Sequence, residues 1–134
     1  MGKKEQWQAY IDDGLLKTGM VTKAAIHGLD GTQWATSKEF QIRTDQVTKL
    51  VSCITGDCSR LHADGIKVAS ESFTFTKCVP GHSLFGKNKN ADAGICIYIS
   101  SQAIIFGTFE KGIQHERCSG VIERMASYLQ RHGL

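Results

Sequence analysis

The sequence predicts an α+β fold in which one central antiparallel sheet is covered by helices. Three observations carry this prediction. Apolar residues recur at helical spacing at both ends of the chain: Trp7, Ile11 and Leu15 near the start, and Cys118, Val121, Ile122, Met125 and Leu129 near the finish. From Gly65 to Phe109 the period changes to two, as in a meander of short strands. Between the first helix and the middle of the chain, Leu29-Asp30-Gly31 has the composition of a hairpin turn.

Taken in order, a first helix over residues 4–16 carries Tyr10 beside its apolar face and has Gly19 beyond its end. Residues 21–28 and 32–37 read as two strands, and the Asp-Gly pair between them supplies the left-handed geometry that a tight turn needs. A second helix opens with Thr44 as N-cap, carries Val47, Leu50, Val51 and Ile54 as its stripe, and stops at Gly56. Strands follow at 66–70, 72–78 and 83–87, with Pro80-Gly81 as a turn. In 94–100 the isoleucines 95, 97 and 99 alternate with Cys96 and Tyr98, which predicts one strongly apolar face. Residues 102–109 pair with that strand, and a last helix runs over 114–131.

Composition narrows the class. A chain of 134 residues is expected to form a single domain over 1–134, with a basic tail at 1–4, and to bury a core unaided. Its 41% apolar and 22% charged residues are those of a globular chain. No run approaches the roughly 20 apolar residues of a membrane span, and no basic-then-apolar leader is present, so a cytoplasmic location is expected. The opening Met1-Gly2 has the form of a myristoylation signal, but Gln6 stands where Ser or Thr is needed. A net charge of +3 suits acidic partners and is far from a nucleic-acid-binding signature. Cys53, Cys58, Cys78, Cys96 and Cys118 are odd in number and lack CxxC spacing, so reduced, mostly buried thiols are expected, with no metal or cofactor.

The aromatic residues raise a question of use. Trp7 and Tyr10 sit three apart on the first helix, and Tyr128 and His132 four apart on the last. Trp34 lies in the second strand of the hairpin. Either these rings are core, or Trp7, Tyr10, Trp34 and Tyr128 converge into one groove. Such a groove suits polyproline II segments, which are extended beforehand and stack their rings on flat aromatic faces.

WQAYIDDGLL, VTKAAIHGLDGTQWATS and the closing VIERMASYLQRHGL together resemble the profilin family of actin-monomer-binding proteins. The resemblance runs from Gln6 to Leu134. It implies a central sheet with the N- and C-terminal helices packed side by side on one face and shorter elements on the other. It also assigns a polyproline groove to Trp7, Tyr10, Trp34 and Tyr128, with Leu134 at its edge. Where some relatives end in tyrosine, this chain has His132-Gly133-Leu134, an apolar contact.

By the same resemblance, actin would be met on a separate face by Lys77, Phe85, Lys87, Arg117, Ser119 and Arg124. Phe85 stands where many relatives have Arg, and Gly120 where the mammalian pattern has Lys. An anionic phosphoinositide surface would weakly engage Lys77, Lys87, Lys89 and Arg131. The implied partners are monomeric actin and proline-rich proteins such as actin elongation factors, with the protein a monomer associated with the cytoskeleton.

Enzymatic readings lack support. Cys118 with His115, or Cys78 with His82, would need a thiolate, a base in reach and oxyanion donors. No GxGxxG, Walker loop or HExxH is present. Two non-enzymatic readings compete: a regulator of actin assembly, and a polyproline or phosphoinositide adaptor on the same fold that has lost much of its actin contact.

Overall fold

The computed structural model describes residues 2–88 and 92–134, with side chains described throughout these except at 2–5 and 60. Seven strands are present: β1 (Lys23–Gly28), β2 (Gln33–Thr36), β3 (Ile66–Val68), β4 (Glu71–Val79), β5 (Ser83–Lys87), β6 (Gly94–Ile99) and β7 (Ala103–Phe109). They form one antiparallel sheet in the order β2-β1-β7-β6-β5-β4-β3. Helices α1 (Gly2–Ala9), α2 (Thr44–Thr55), α3 (Arg60–Asp64) and α4 (His115–Arg131) complete the fold. The first helix reaches back into the stretch expected as a tail. It passes at Tyr10–Leu15 into a π-helical turn, and a 3₁₀ turn at Leu16–Thr18 ends at Gly19.

Helices cover both faces of the sheet, so there are two cores. Ile11, Leu15, Cys118, Val121, Ile122, Ala126 and Leu129 pack on Ala24, Ile26, Cys96, Tyr98 and Ile105. On the other face Val47, Leu50, Cys53 and Ile54 of α2 pack with Ala25, Ile95, Ile97, Ile104 and Phe106. The apolar isoleucine face expected for residues 94–100 is present, and the Cys96–Tyr98 face is buried as well, each by its own helix layer. A strand covered on both sides reads as a near-continuous apolar run, and its alternation no longer separates core from solvent.

The close seat of α4 depends on Gly107. A Cβ there would collide with the Ile122 side chain, so the missing methyl is what lets the helix settle onto β7. The buried stripe of α4 includes Ala126 where Met125 was expected; Met125 is half-buried at the boundary with the π-helical turn.

Helix α2 starts one residue earlier than the sequence suggested. Arg43 is the N-cap, and its backbone N–H donates to Gln46 Oε1 at 3.0 Å. Gln46 also exchanges two hydrogen bonds with the Ala69 backbone, which ties the β3–β4 turn to the helix. The short α3 was not anticipated; its Leu61 plugs the second core. Packing of this segment against β4 also brings Cys58 and Cys78 together as a disulfide, twenty residues apart in sequence. The expectation of five reduced thiols therefore fails for this pair, while Cys53, Cys96 and Cys118 are unbridged and buried. Among the described residues no helix is long and apolar enough to cross a membrane.

Candidate functional site

Four aromatic rings form a continuous row where α1, β2 and α4 meet. The Trp7 ring centroid lies 4.7 Å from Trp34 and 5.3 Å from Tyr10, and Tyr10 lies 5.7 Å from Tyr128. Tyr128 in turn packs on His132 at 4.5 Å. These rings rest on the first core without being sealed in it. Trp7, Tyr10 and Trp34 are half-buried, and Tyr128 is 38% exposed. A cleft of about 330 Å³ opens over the Trp34–Trp7–Tyr10 part of the row, lined by Gln6, Trp7, Tyr10, Trp34, Gln102 and Leu134; Tyr128 continues the row beyond that lining.

Trp34 joins this row through a defect in the hairpin. The register steps from Ile26↔Ala35 to His27↔Gln33, which leaves Trp34 as an extra, unpaired residue. Strict alternation would send its side chain to the face opposite Ala35. A bulge re-aims a side chain in this way, and here the indole lies over β1 toward Trp7. Gly28 makes room: a Cβ there would stand 3.1 Å from Trp34 Nε1 and 2.8 Å from Asp30 Oδ1.

Some of the polar atoms at the groove rim bond to one another. Gln6 Nε2 donates to the Tyr10 hydroxyl at 3.1 Å, and the Tyr10 and Tyr128 hydroxyls meet at 3.5 Å, a contact that pushes the Tyr128 phenol up. Leu134 is held against the β6–β7 turn, its carbonyl accepting from the Gln102 backbone N–H and from Ser100 Oγ. Gln102 Nε2 donates to Gly133 O at 3.0 Å. Beneath the hairpin, on the α2 side, His27 is 1% exposed. Its Nδ1–H donates to Gly31 O at 3.4 Å and its Nε2 has no partner, so burial holds the imidazole below its ordinary pKa.

The residues expected at the actin surface lie at the other end of the same helix layer. The expectation of opposite faces is therefore corrected: one sheet face carries both sets, and α4 spans them. Lys77 pairs with Phe85 across β4 and β5, so Lys77, Phe85 and Lys87 point to the α4 side. Lys77, Lys87, Arg117 and Arg124 are exposed, and among the described residues none of them pairs with a carboxylate. Phe85 behaves differently. It is 7% exposed and packs against His115 at 5.1 Å and Tyr98 at 5.7 Å, so it is a floor under the surface and offers no ring to a partner. Ser119 spends its hydroxyl on Tyr98 at 2.6 Å.

The suggested phosphoinositide set is not brought together. Lys77 and Lys87 are neighbours on β4 and β5, but Arg131 lies near Tyr128, about 20 Å along the helix axis from Arg117. Lys89 lies outside the described residues, as do the side chains of Lys3 and Lys4. The two thiol–imidazole pairs dissolve as well. His115 packs against Phe85 and Phe109, Cys118 is sealed against the Gly107 carbonyl, and Cys78 is bridged to Cys58.

Comparison with known proteins settles the lineage. A family model described as Profilin matches residues 5–134. The chain belongs to the profilin family. Among curated profilins, Profilin-1B of Acanthamoeba castellanii is 37% identical over 95% of this chain and 98% of its own length. The crystal structure of Acanthamoeba castellanii profilin II superposes with a TM-score of 0.88 at 32% identity, covering 96% of this chain and 99% of that one. Mouse profilin IIa, solved in complex with a double repeat from the FH1 domain of mDia1, shares the fold with a TM-score of 0.76 at 20% identity, covering 96% and 99%. Sequence reasoning missed Gln6 and Gln102 in the profilin groove. The signal for Gln6 was available, one turn before Tyr10; Gln102 arrives only through the folding of the β6–β7 turn.

Proposed function

We propose that this chain, acting as a single domain, binds actin monomers and proline-rich segments at opposite ends of the α1–α4 layer and so regulates actin filament assembly. The observation that carries this reading is the unbroken row Trp34–Trp7–Tyr10–Tyr128. Its spacing of about 5 Å from ring to ring gives flat, half-buried stacking surfaces to a helix that rises about 3.1 Å per residue. Proline carbonyls, which have no intramolecular partner in such a helix, accept from indole and phenol donors at the rim. The unpaired cations Lys77, Lys87, Arg117 and Arg124 form the acid-seeking surface for actin. An anionic phosphoinositide surface engages Lys77 and Lys87 in competition with actin. The protein works by binding, with no residue given a catalytic role. Holding both partners raises the local concentration of actin beside a proline-rich tether, an effective-molarity effect.

The deciding experiment is a titration of the purified protein with monomeric actin, with and without a proline-rich peptide, beside a pyrene-actin assembly assay. Excess protein should slow spontaneous nucleation, and the peptide should leave actin affinity unchanged. Intact peptide binding with no effect on nucleation would favour the adaptor reading.

A further inference from the structure

The aromatic groove does not end at Trp34. A second cleft of about 420 Å³ adjoins it, lined by Gly28, Leu29, Asp30, Thr32, Trp34, Ser101 and Gln102. Trp34 and Gln102 belong to both clefts, so a segment stacked along the row and extended past the indole runs over the β1–β2 turn.

The chemistry changes along that path. Among the described residues, none lining the first cleft is charged in its side chain, and the lining of the second contains Asp30 and no cation. Asp30 is exposed, and its Oδ1 is fixed by the Thr32 backbone N–H at 2.9 Å. The Thr32 hydrogen bonds also hold the carboxyl below its ordinary pKa, so it is ionised at neutral pH. Gln102 donates its Nε2 to Gly133 O, and its Oε1 remains as an acceptor. The extension is therefore an acceptor-lined, negatively charged end to a neutral aromatic track.

We infer that Asp30 is a specificity residue that selects proline-rich ligands bearing a Lys or Arg immediately beyond the proline run, the cation seating in the cleft between the β1–β2 turn and Gln102. The inference rests on the polyproline reading above and names a feature of its ligands. The partner is a flexible peptide cation on an exposed carboxylate, so the gain is modest and sensitive to salt.

The test is a titration of the full chain, followed by tryptophan fluorescence at low ionic strength. The probes are peptides of about ten prolines flanked by Gly, Arg or Glu at either end. The Arg-flanked peptide should bind about three-fold tighter than the Gly-flanked one in one placement, and the Glu-flanked peptide weaker than both. In Asp30→Asn, which keeps the acceptor for Thr32, the three should converge. Equal affinities in the unmodified protein, or an unchanged gap in Asp30→Asn, would overturn the role of Asp30 while the groove reading stands. A folded protein that binds none of the peptides would overturn both.

Discussion

The two ends of the α1–α4 layer use aromatic residues in opposite ways. At the α1–β2 end, Trp7, Tyr10, Trp34 and Tyr128 are themselves the surface, and the rim amides and hydroxyls bond to one another. At the β4–β5 end the rings of Phe85, Tyr98 and Phe109 are buried as a floor, and the groups that reach solvent include Lys77, Lys87, Arg117 and Arg124, interspersed with Glu116 and Glu123. On the proposed function the first end would recognise by shape and stacking, which salt barely touches, and the second by charge, which salt screens within about 10 Å. One helix layer would then carry two kinds of recognition that respond to different solution conditions.

The largest way to break this contrast is Trp7→Ala. Removing the ring that touches both Trp34 and Tyr10 should cost about 2 kcal/mol or more in polyproline affinity, seen as lost retention on polyproline resin, with the circular dichroism of the fold preserved. Unchanged retention would put the binding elsewhere. Next is Gly28→Ala, whose added methyl must push the Asp30 carboxylate aside and press on the Trp34 indole. Roughly ten-fold weaker peptide binding is expected, with actin binding untouched. Lys87→Glu should act at the other end alone, weakening actin by about 1 kcal/mol at low salt, with the deficit shrinking as salt rises. Equal loss of both ligands would mean a folding defect.

The smallest effect is on stability and comes from His27. Its pKa is lowered in the folded chain by burial, so the unfolded chain takes up the proton first as pH falls. Stability contributed by the neutral imidazole is complete above about pH 6.5 and is lost progressively below it. Chemical denaturation at pH 7 and pH 5 should show a lower midpoint at pH 5, and His27→Phe should reduce that difference. An equal drop in both proteins would assign the pH response to other groups.

Much of this was legible because it is local. The Trp7–Tyr10 contact, the α4 stripe apart from Met125 and the Asp-Gly turn are each decided by neighbours within a few residues, and the structure contains them, with Tyr10 in the π-helical turn that follows α1. The failures share a different origin. Whether Phe85 is surface or floor depends on α4 arriving over it from thirty residues away, and the two-sided burial of β6 depends on helices from both halves of the chain. The Cys58–Cys78 pairing and the contribution of Gln102 are likewise products of tertiary packing. Trp34 was named for the groove by resemblance, yet alternation alone would have turned it away; the bulge that reconciles the two has no signature in the hairpin's composition.

The span of α4 has a mechanical consequence. Its 17 residues make a rod of about 25 Å with one of the two proposed sites near each end. On that proposal a stiff spacer of constant length sets the gap between tether and monomer. All the slack in delivery then resides in the tether's own loops, and the speed of handover is tuned by changing those loops and not the carrier.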